Sequence, residues 1–282
     1  MICWHSLLIP LVLLGANVLT AGTLAQFRTY FGDIEVELYD QDKPITVQNF
    51  IRYVQSGAYQ DGFVHRLIPG FVAQGGGFTI TNRNATNAAI ASVSTFPPIT
   101  NEFGVGRRFS NIYGTIAMAK LGGDTNSASS QWFFNLANNT FLDAPDTNNF
   151  FVVFGYVVRG TNILDTFNKF QVYTGSQTSN LVLHKFYLPP FDDLPFLYPV
   201  LDFTNFVFLD VSLLQVQVQP ASNGGKQISW NSAASMTNVV EFTTNLPPSW
   251  QTLVRTNGTG ARMAVMDPNA LPQKFYRVRV EY

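Results

Sequence analysis

Residues 63–77 read FVHRLIPGFVAQGGG, and this stretch decides how the rest of the chain is interpreted. It places Arg66, Phe71 and Gln74 close together ahead of three glycines, and it contains no acid, no thiol and a single histidine. Such a set is poorly suited to proton transfer or nucleophilic attack, which need a titratable base or an activated nucleophile. It is better suited to holding a peptide in an apolar groove beside a guanidinium.

The composition narrows the class of protein. The chain has 282 residues, of which 46% are apolar, and this is enough for one large domain or for two ordinary ones. Charged residues make up only 12%, and the net charge is -1. No basic run could neutralise a series of phosphates, so the composition argues against nucleic acid as a partner.

The inventory of reactive side chains argues against a metal centre and against a serine or cysteine hydrolase. The only cysteine, Cys3, precedes an apolar run near the N-terminus, and two histidines, His65 and His184, lie beyond that run. Neither an H-E-x-x-H nor a G-x-S-x-G motif occurs in the sequence. We therefore expect no metal and no cofactor, and we interpret His65 as a structural residue.

The N-terminus carries a targeting pattern. An apolar run at residues 7–14 is followed by small residues and by two possible cleavage points, after Ala21 and after Ala25. This pattern predicts a secretory signal peptide over residues 1–25, although no Lys or Arg precedes the run. An uncleaved anchor is the alternative, but the run is shorter than the ~20 residues that a spanning helix needs. We expect no stable membrane insertion of the mature chain and a periplasmic or extracellular location.

Strand patterns alternate with two helix patterns along the first part of the chain. Apolar and polar residues alternate over 33–38, which indicates a strand with one exposed face. A helix is predicted from Pro44 to Gly57 and a second one over 161–170, because apolar residues recur there at helical spacing. Further strands are predicted over 116–119, 131–136 and 151–158. The pattern indicates a mainly β fold, either a closed antiparallel barrel or a sandwich.

Four spaced motifs lie within residues 26–187. They are GDIEVEL at 32–38 running into PITVQNF at 44–50, the stretch at 63–77, GTIAMAK at 114–120 leading to QWFFNL at 131–136, and FVVFG at 151–155. Together they resemble the cyclophilin-type peptidyl-prolyl cis-trans isomerases. The resemblance implies an eight-stranded antiparallel β-barrel capped by two helices, and an enzyme that accelerates the isomerisation of X-Pro bonds.

The resemblance also implies a set of site residues. Arg66 corresponds to the catalytic arginine, and the rest of the catalytic set is Phe71, Gln74 and Phe133. The residues implied to bind the substrate are Val72, Ala119, Gln131, Phe141, Leu142 and Phe151. Successive residues of a strand point to opposite faces, so Phe133 faces away from Trp132 and Phe134. One face of that strand can therefore line a groove while the other fills the barrel.

Two positions depart from the best-known eukaryotic pattern of this family. Phe141 stands where that pattern has a Trp, and Phe151 stands where it has a His. The first change removes an indole N–H donor, which is expected to weaken the binding of cyclosporin-type ligands more than it weakens isomerisation.

The expected function is isomerisation of proline-containing peptides and unfolded exported proteins by a monomer. The alternative is a catalytically weak scaffold or chaperone module that binds proline peptides in the same groove.

The composition changes in the last third of the chain. Proline-rich loop sequence at 188–199 precedes further strand material, and from residue 222 short β-like runs recur at about ten-residue intervals, separated by Asn, Gly and Pro. This spacing is typical of a small β-sandwich. We therefore predict an isomerase domain over 26–210 and a small β-sandwich-like module over 220–282.

Overall fold

The structure is a computed structural model, and it describes residues 23–281 with several gaps. The gaps are residues 84, 145–149, 177–178, 186–188, 200–201, 215, 223, 233–236, 246–247, 260–261, 270 and 272. The predicted signal peptide lies outside the described residues except for residues 23–25, and Cys3 lies outside them. Leu24 and Ala25 belong to the first strand, so the predicted segment overlaps the folded domain by two strand residues.

The described part of the chain is mainly β, with two α-helices. The helices are α1 (Pro44–Gln55) and α2 (Thr161–Phe167). The strands are β1 (Leu24–Thr29), β2 (Gly32–Leu38), β3 (Arg66–Ile68), β4 (Val72–Gly75), β5 (Phe78–Thr81), β6 (Ala89–Ser92), β7 (Thr115–Met118), β8 (Trp132–Asn135), β9 (Val153–Arg159), β10 (Gln171–Val172), β11 (Leu181–His184), β12 (Leu194–Leu197), β13 (Leu209–Leu214), β14 (Gln217–Pro220), β15 (Lys226–Asn231), β16 (Thr237–Thr243), β17 (Gln251–Asn257), β18 (Arg262–Asp267) and β19 (Phe275–Glu281).

Eight strands form one antiparallel sheet in the order β13-β1-β2-β9-β7-β8-β4-β3. Its two edges meet, because the Val64 N–H donates to the Val207 carbonyl over 2.9 Å and the Leu209 N–H donates to the Gly62 carbonyl over 2.8 Å. The sheet therefore curls into the predicted barrel. Its eighth strand ends at Leu214, beyond the predicted domain end at residue 210, because residues 209–214 pair with β1 along its whole length.

Aromatic side chains fill the inside of the barrel. The Phe27 ring makes edge contacts with Trp132 and Phe134, at centroid distances of 4.9 and 5.0 Å. Two glycines of the opening stretch make room for this packing. A Cβ at Gly75 would lie 2.6 Å from the Trp132 ring. Gly76 has a φ of +77°, and a Cβ added there would lie 2.5 Å from the carbonyl oxygen of Ser130, just before β8. The glycines thus serve close packing between β4 and β8.

Both helices pack apolar faces against the barrel. The α1 helix begins at Pro44, as predicted, since a proline at the first helical position gives up no intrahelical hydrogen bond. Its Val47 and Phe50 are fully buried, and the Phe50 ring stacks on Phe27 at 5.8 Å. The α2 helix ends at Phe167, three residues before the predicted end. In the part of the chain that the structure describes, neither helix is long and apolar enough to cross a bilayer.

The chain after α2 forms an extension that folds back onto the barrel. Strands β10, β11 and β12 make a small sheet, and the segment that follows them leads into β13. A hydrophobic cluster separate from the barrel interior anchors this extension. Its buried members are Phe63, Ile80, Leu194, Phe206 and Phe208. Contacts from the barrel side and from the extension are thus interleaved in one cluster.

The C-terminal residues form two three-stranded sheets, with orders β14-β15-β18 and β17-β16-β19. Ile228 and Trp230 from the first sheet and Val240 and Val278 from the second make one buried cluster. The Trp230 indole N–H donates to the Asn238 side-chain oxygen over 3.1 Å, which satisfies the only polar atom of a buried ring. Two sheets that share one apolar cluster are the arrangement expected of a small β-sandwich.

Candidate functional site

One row of paired residues crosses five barrel strands and carries three of the predicted catalytic residues. Arg66 on β3 lies opposite Gln74 on β4, and Gln74 lies opposite Phe133 on β8. The row continues through Ala117 on β7 to Val153 on β9. Directly opposed residues of an antiparallel pair share a face of the sheet. The three side chains therefore project from the same face at consecutive strand positions.

This face is the outer one, and strand β8 separates it from the barrel interior. Trp132 and Phe134 belong to the interior cluster, whereas Phe133 belongs to a different cluster on the other side of the sheet. The alternation agrees with the strand parity predicted from the sequence. Phe133 is buried, at 4% exposed, because other side chains cover it on the outside of the barrel.

The outer cluster forms an apolar floor. Its buried members are Val72, Ala117, Phe133, Leu142 and Val153, and its partly buried members are Tyr39, Phe71, Phe109, Ala119 and Phe151. The Phe151 ring meets Phe133 edge-on at 5.7 Å, and the Phe141 ring stacks on Phe71 at the same centroid distance. Phe141 is 58% exposed and therefore lies at the rim. The predicted apolar residues come together in one place.

An amide pair lies next to this floor. The Gln74 side-chain nitrogen donates to the Gln131 side-chain oxygen over 2.7 Å, which leaves one amide hydrogen of Gln74 available. A concave space of about 400 Å³ opens beside the pair, with Thr95, Phe96 and Ala119 among its lining residues. The predicted residues Gln74, Ala119 and Gln131 thus lie at a second depression adjoining the apolar floor.

His65 lies behind the amide pair rather than in the groove. It is 1% exposed, and burial, with a smaller effect from the neighbouring Arg66 charge, lowers the pKa of His65 to about 4. A side-chain hydrogen bond with Gln131 opposes this shift. His65 is therefore neutral near pH 7, in keeping with the structural role that the sequence predicted, and it contacts a residue that the resemblance places in the site.

Arg66 places a cationic group on this face. Its side chain is about one third exposed, and its Nε lies 3.9 Å from Oδ2 of Asp193. Asp193 belongs to the extension, just ahead of β12. A guanidinium carries five N–H donors and stays charged at any pH of interest. An ion pair through Nε leaves the donors at the far end of the guanidinium available for another acceptor.

Three asparagines behind the floor hold the loops that complete it. The Asn139 side-chain nitrogen donates to the Phe71 carbonyl and to the Asn135 side-chain oxygen, both over 2.8 Å. The Asn135 side-chain nitrogen donates in turn to the Asn111 side-chain oxygen over 3.0 Å. All three asparagines are buried, at 3% exposed or less. Their amides therefore act as a polar frame for the turn after Pro69.

The same asparagine frame also holds the side of the groove that carries Phe141, Leu142 and Phe151. The Asn111 side-chain nitrogen donates to Oδ1 of Asp143 over 2.7 Å and to the Phe151 carbonyl over 3.0 Å. Asp143 ends the 3-10 helix Thr140–Asp143, which carries Phe141 and Leu142. Asn111 therefore positions both the short helix and the strand entry that carries Phe151.

The structure brings all ten predicted site residues to one outer face of the barrel, where they lie on the apolar floor, at its rim or at the adjoining depression. Sequence reasoning missed Ala117 and Val153, which the row of paired residues adds to the floor, and the asparagine frame behind it. Strand parity within the predicted strand 116–119 would have placed Ala117 on the face of Ala119. Among the residues described between 23 and 281, no group of three or more His, Cys, Asp or Glu side chains is placed to hold a metal ion.

Comparison with known proteins places this fold and groove in a family. The family model for the cyclophilin type peptidyl-prolyl cis-trans isomerase/CLD matches residues 24–186. Peptidyl-prolyl cis-trans isomerase A of Dickeya dadantii is 41% identical over 153 residues, which cover 54% of this chain and 74% of that protein. A peptidyl-prolyl cis-trans isomerase of Acinetobacter baylyi is 39% identical over 154 residues, which cover 55% and 76%.

The fold is also similar to a crystal structure of a Cryptosporidium parvum cyclophilin type isomerase, determined in the presence of the dipeptide Ala-Pro. The matched region covers 68% of this chain and 99% of the Cryptosporidium chain. It shares 20% sequence identity, with a TM-score of 0.43. The family match covers more than half of the sequence and includes strands β1 to β9, among them the five that form the groove. The chain belongs to the cyclophilin-type peptidyl-prolyl cis-trans isomerase family.

Proposed function

We propose that this chain isomerises X-Pro bonds in exported proteins and peptides, with Arg66 as the catalytic group. The observation that carries the proposal is the row in which Arg66, Gln74 and Phe133 stand on neighbouring strands above an apolar floor. A cation, an amide and a ring on one rigid sheet provide the three contacts that a prolyl peptide needs.

The chemistry required is a change of conformation. Rotation about a peptide bond faces a barrier of about 18–20 kcal/mol, because the nitrogen lone pair is delocalised into the carbonyl. A donor directed at the prolyl nitrogen localises that lone pair and lowers the barrier. A rate gain of about 10⁵ needs roughly 7 kcal/mol of differential stabilisation of the transition state. The Arg66 guanidinium, which donates only and is permanently charged, suits this role.

The groove would hold the prolyl ring of the substrate still while the preceding part of the peptide turns. The pyrrolidine ring of the substrate would rest against Phe133, Leu142 and Val72, which are buried in the outer cluster. The free amide hydrogen of Gln74 would bind the substrate backbone, and the depression lined by Gln131 and Ala119 would take a neighbouring side chain. Holding the ring while the preceding carbonyl turns converts binding energy into catalysis.

The deciding experiment measures isomerisation of a short X-Pro peptide by the wild type and by Arg66→Ala. We expect kcat/KM to fall about 100-fold, equivalent to roughly 2.7 kcal/mol of lost transition-state stabilisation. Arg255→Ala, on the exposed face of β17, is the matched control and should retain full activity. If the wild type binds the peptide but leaves the uncatalysed rate unchanged, the chain is the weak binding scaffold instead.

We further propose that the chain is exported, acts as a monomer on unfolded exported proteins, and loses its leader after Ala21. The Thr23 backbone N–H and hydroxyl donate to the two carboxylate oxygens of Asp40 over 2.7 and 2.8 Å, and Leu24 begins β1. A cut after Ala25 would remove these groups, whereas a cut after Ala21 keeps them. Intact mass of the periplasmic protein should give residue 22 as the first; a chain starting at residue 26 would contradict this.

We also propose that the isomerase domain ends with β13 and that a separate module begins with β14. The support is that β13 pairs within the barrel, while the strands from β14 onward share their own apolar cluster around Trp230. Limited proteolysis of the full chain should then cut between Leu214 and Gln217 and release two resistant fragments. Preferred cleavage inside the barrel or inside the module would contradict this division.

A further inference from the structure

The part of the extension that lies beyond the family match adds a polypeptide segment to the free side of β3. The Leu67 N–H donates to the Asp193 carbonyl over 2.8 Å, whereas the opposite side of β3 is paired with β4. Asp193 lies beyond residue 186, where the family match ends. The strand that carries Arg66 is therefore held from both sides, and one of those sides comes from the extension.

The Asp193 side chain lies next to Arg66. One carboxylate oxygen, Oδ2, is 3.9 Å from Nε of Arg66, and the other, Oδ1, pairs with Lys185 of the same extension. Asp193 is only 6% exposed, while the Arg66 side chain is 34% exposed. The carboxylate is thus on the protected side of the guanidinium, and the accessible side is toward the groove face.

Asp193 is fixed in place by contacts that do not involve the groove. Its neighbour Leu194 is buried in the cluster around Phe63, and the Phe191 ring packs on Phe78 at a centroid distance of 4.7 Å. The backbone on either side of the carboxylate is therefore anchored by apolar packing. A partner on an anchored backbone restrains an arginine more effectively than one on a mobile loop. The backbone of the partner is already ordered, so forming the ion pair costs only side-chain conformational entropy.

The charges of this cluster do not cancel. Asp193 faces two cations, Arg66 and Lys185, so these three side chains together keep one positive charge. Because the closest approach to Asp193 is through Nε, the terminal nitrogens of the guanidinium keep their donors. The pair restrains the direction of the guanidinium without using up its capacity to donate to a substrate.

We propose that Asp193 is a positioning residue that orients the Arg66 guanidinium for catalysis. This inference rests on the proposed function, in which Arg66 acts on the prolyl bond. It assigns to the part of the extension that lies beyond residue 186, outside the matched family region, a direct part in the activity of the barrel. Asp193 itself does not touch the substrate; it acts through Arg66.

The test compares Asp193→Asn with Asp192→Asn, since Asp192 is the adjacent, more exposed carboxylate and its loss changes the net charge equally. Isomerisation kinetics are measured for both in the wild-type and Arg66→Ala backgrounds, with thermal unfolding as a check on folding. We expect Asp193→Asn to lower kcat about tenfold with KM changed less than twofold, and Asp192→Asn to have no effect. In the Arg66→Ala background Asp193→Asn should cause no further loss.

A second measurement does not depend on activity. The NMR resonance of the Arg66 Nε–H group should move in Asp193→Asn and in Lys185→Gln, in opposite directions, and stay unchanged in Asp192→Asn. Lys185→Gln frees the carboxylate for Arg66 and should leave kcat at or above the wild-type value. This variant keeps the inference testable even if Asp193→Asn fails to fold.

The two proposals fail in distinguishable ways. If Arg66→Ala loses activity while Asp193→Asn keeps the wild-type kcat, or if Asp193→Asn costs as much without Arg66 as with it, the positioning role is wrong and the proposed function stands. If Arg66→Ala keeps wild-type activity, the proposed function is wrong and this inference is wrong with it.

Discussion

The two walls of the groove are built from different kinds of structure. The strand wall, defined as Arg66, Gln74 and Phe133, stands on β3, β4 and β8, and its positions follow from the registers of a continuous sheet. The loop wall, defined as Phe141, Leu142 and Phe151, stands on a 3-10 helix and on the residues before β9. Its backbone is held by asparagine and aspartate side chains.

This difference teaches where the groove is rigid and where it is adjustable. Backbone ladders fix the strand wall to the pleat of the sheet, so one side chain can be changed without moving its neighbours. The loop wall depends on amide groups in a protected interior, where an unpaired polar atom costs about 1–3 kcal/mol. A single substitution in the frame is therefore expected to shift the whole loop wall, while substitutions in the strand wall act locally.

The largest expected effect separates the two faces of the strand wall. Phe134 faces the barrel interior and is fully buried, while its neighbour Phe133 faces the groove. Phe134→Ala should lower the free energy of unfolding by about 4 kcal/mol, the cost of removing a buried ring from a close-packed core. Below its melting temperature it should keep most of the wild-type kcat/KM. Phe133→Ala should cost less stability and lower kcat/KM about 100-fold.

Chemical unfolding and peptide isomerisation on the same samples check this pair. Each variant serves as the control for the other, because both remove one phenyl ring from adjacent positions of β8. Equal losses of activity in the two variants would show that the groove and the interior are one cooperative unit, and would contradict the division of β8 into two faces.

The second prediction concerns the frame of the loop wall. Asn135→Ala removes the donor to Asn111 and Thr115 and the acceptor for Asn139. Stability should fall by about 3 kcal/mol, since several buried polar atoms lose their partner. KM should rise about tenfold with a smaller change in kcat, because the loop wall moves while Arg66 stays. Asn162→Ala, on the exposed side of α2, is the control; an unchanged KM in Asn135→Ala would contradict the framing role.

The sequence predicted the strand wall well and the support of the loop wall poorly. Alternation within residues 131–136 sufficed to place Phe133 opposite to Trp132, because side-chain direction in a strand depends only on parity. Asn111, Asn135 and Asn139 are separated by loops and strands, and each alone resembles an ordinary surface asparagine. Their pairing depends on tertiary contacts that no local pattern encodes. The same holds for Asp193, which is distant from Arg66 along the chain.

The third prediction is a pH dependence of stability caused by His65, which lies behind the strand wall. The pKa of buried His65 is lowered to about 4 from 6.5, so the unfolded chain binds more protons than the folded one between these values. Stability from this group is complete above pH 6.5 and is lost as the pH falls toward 4. The loss should be about 3 kcal/mol at pH 4.

Thermal unfolding between pH 4 and 7 checks this effect in the wild type, in His65→Gln and in His184→Gln. Relative to its own value at pH 7, the His65→Gln variant should keep more stability at pH 4 than the wild type does, because the titrating group is gone while an amide can still hydrogen-bond to Gln131. The His184→Gln variant is the comparison, since burial lowers the pKa of His184 as well, and it should recover a smaller part of the loss than His65→Gln does. A curve for His65→Gln that is parallel to that of the wild type would contradict the prediction.

The smallest expected effect lies at the rim of the loop wall. Phe141 is 58% exposed and stacks on Phe71, so Phe141→Trp keeps an aromatic face and adds an indole N–H donor. One neutral hydrogen bond in an exposed place contributes about 0.5 kcal/mol, which corresponds to a two- to threefold lower KM. The kcat should not change, because the Arg66 guanidinium belongs to the opposite wall. The gain should be larger for a rigid cyclosporin-type ligand, which gives up little conformational freedom on binding.

Phe141→Leu is the control, since it removes the ring without adding a donor and should weaken binding. If Phe141→Trp changed kcat instead of KM, the two walls would not act separately, and the contrast between a fixed strand wall and an adjustable loop wall would fail.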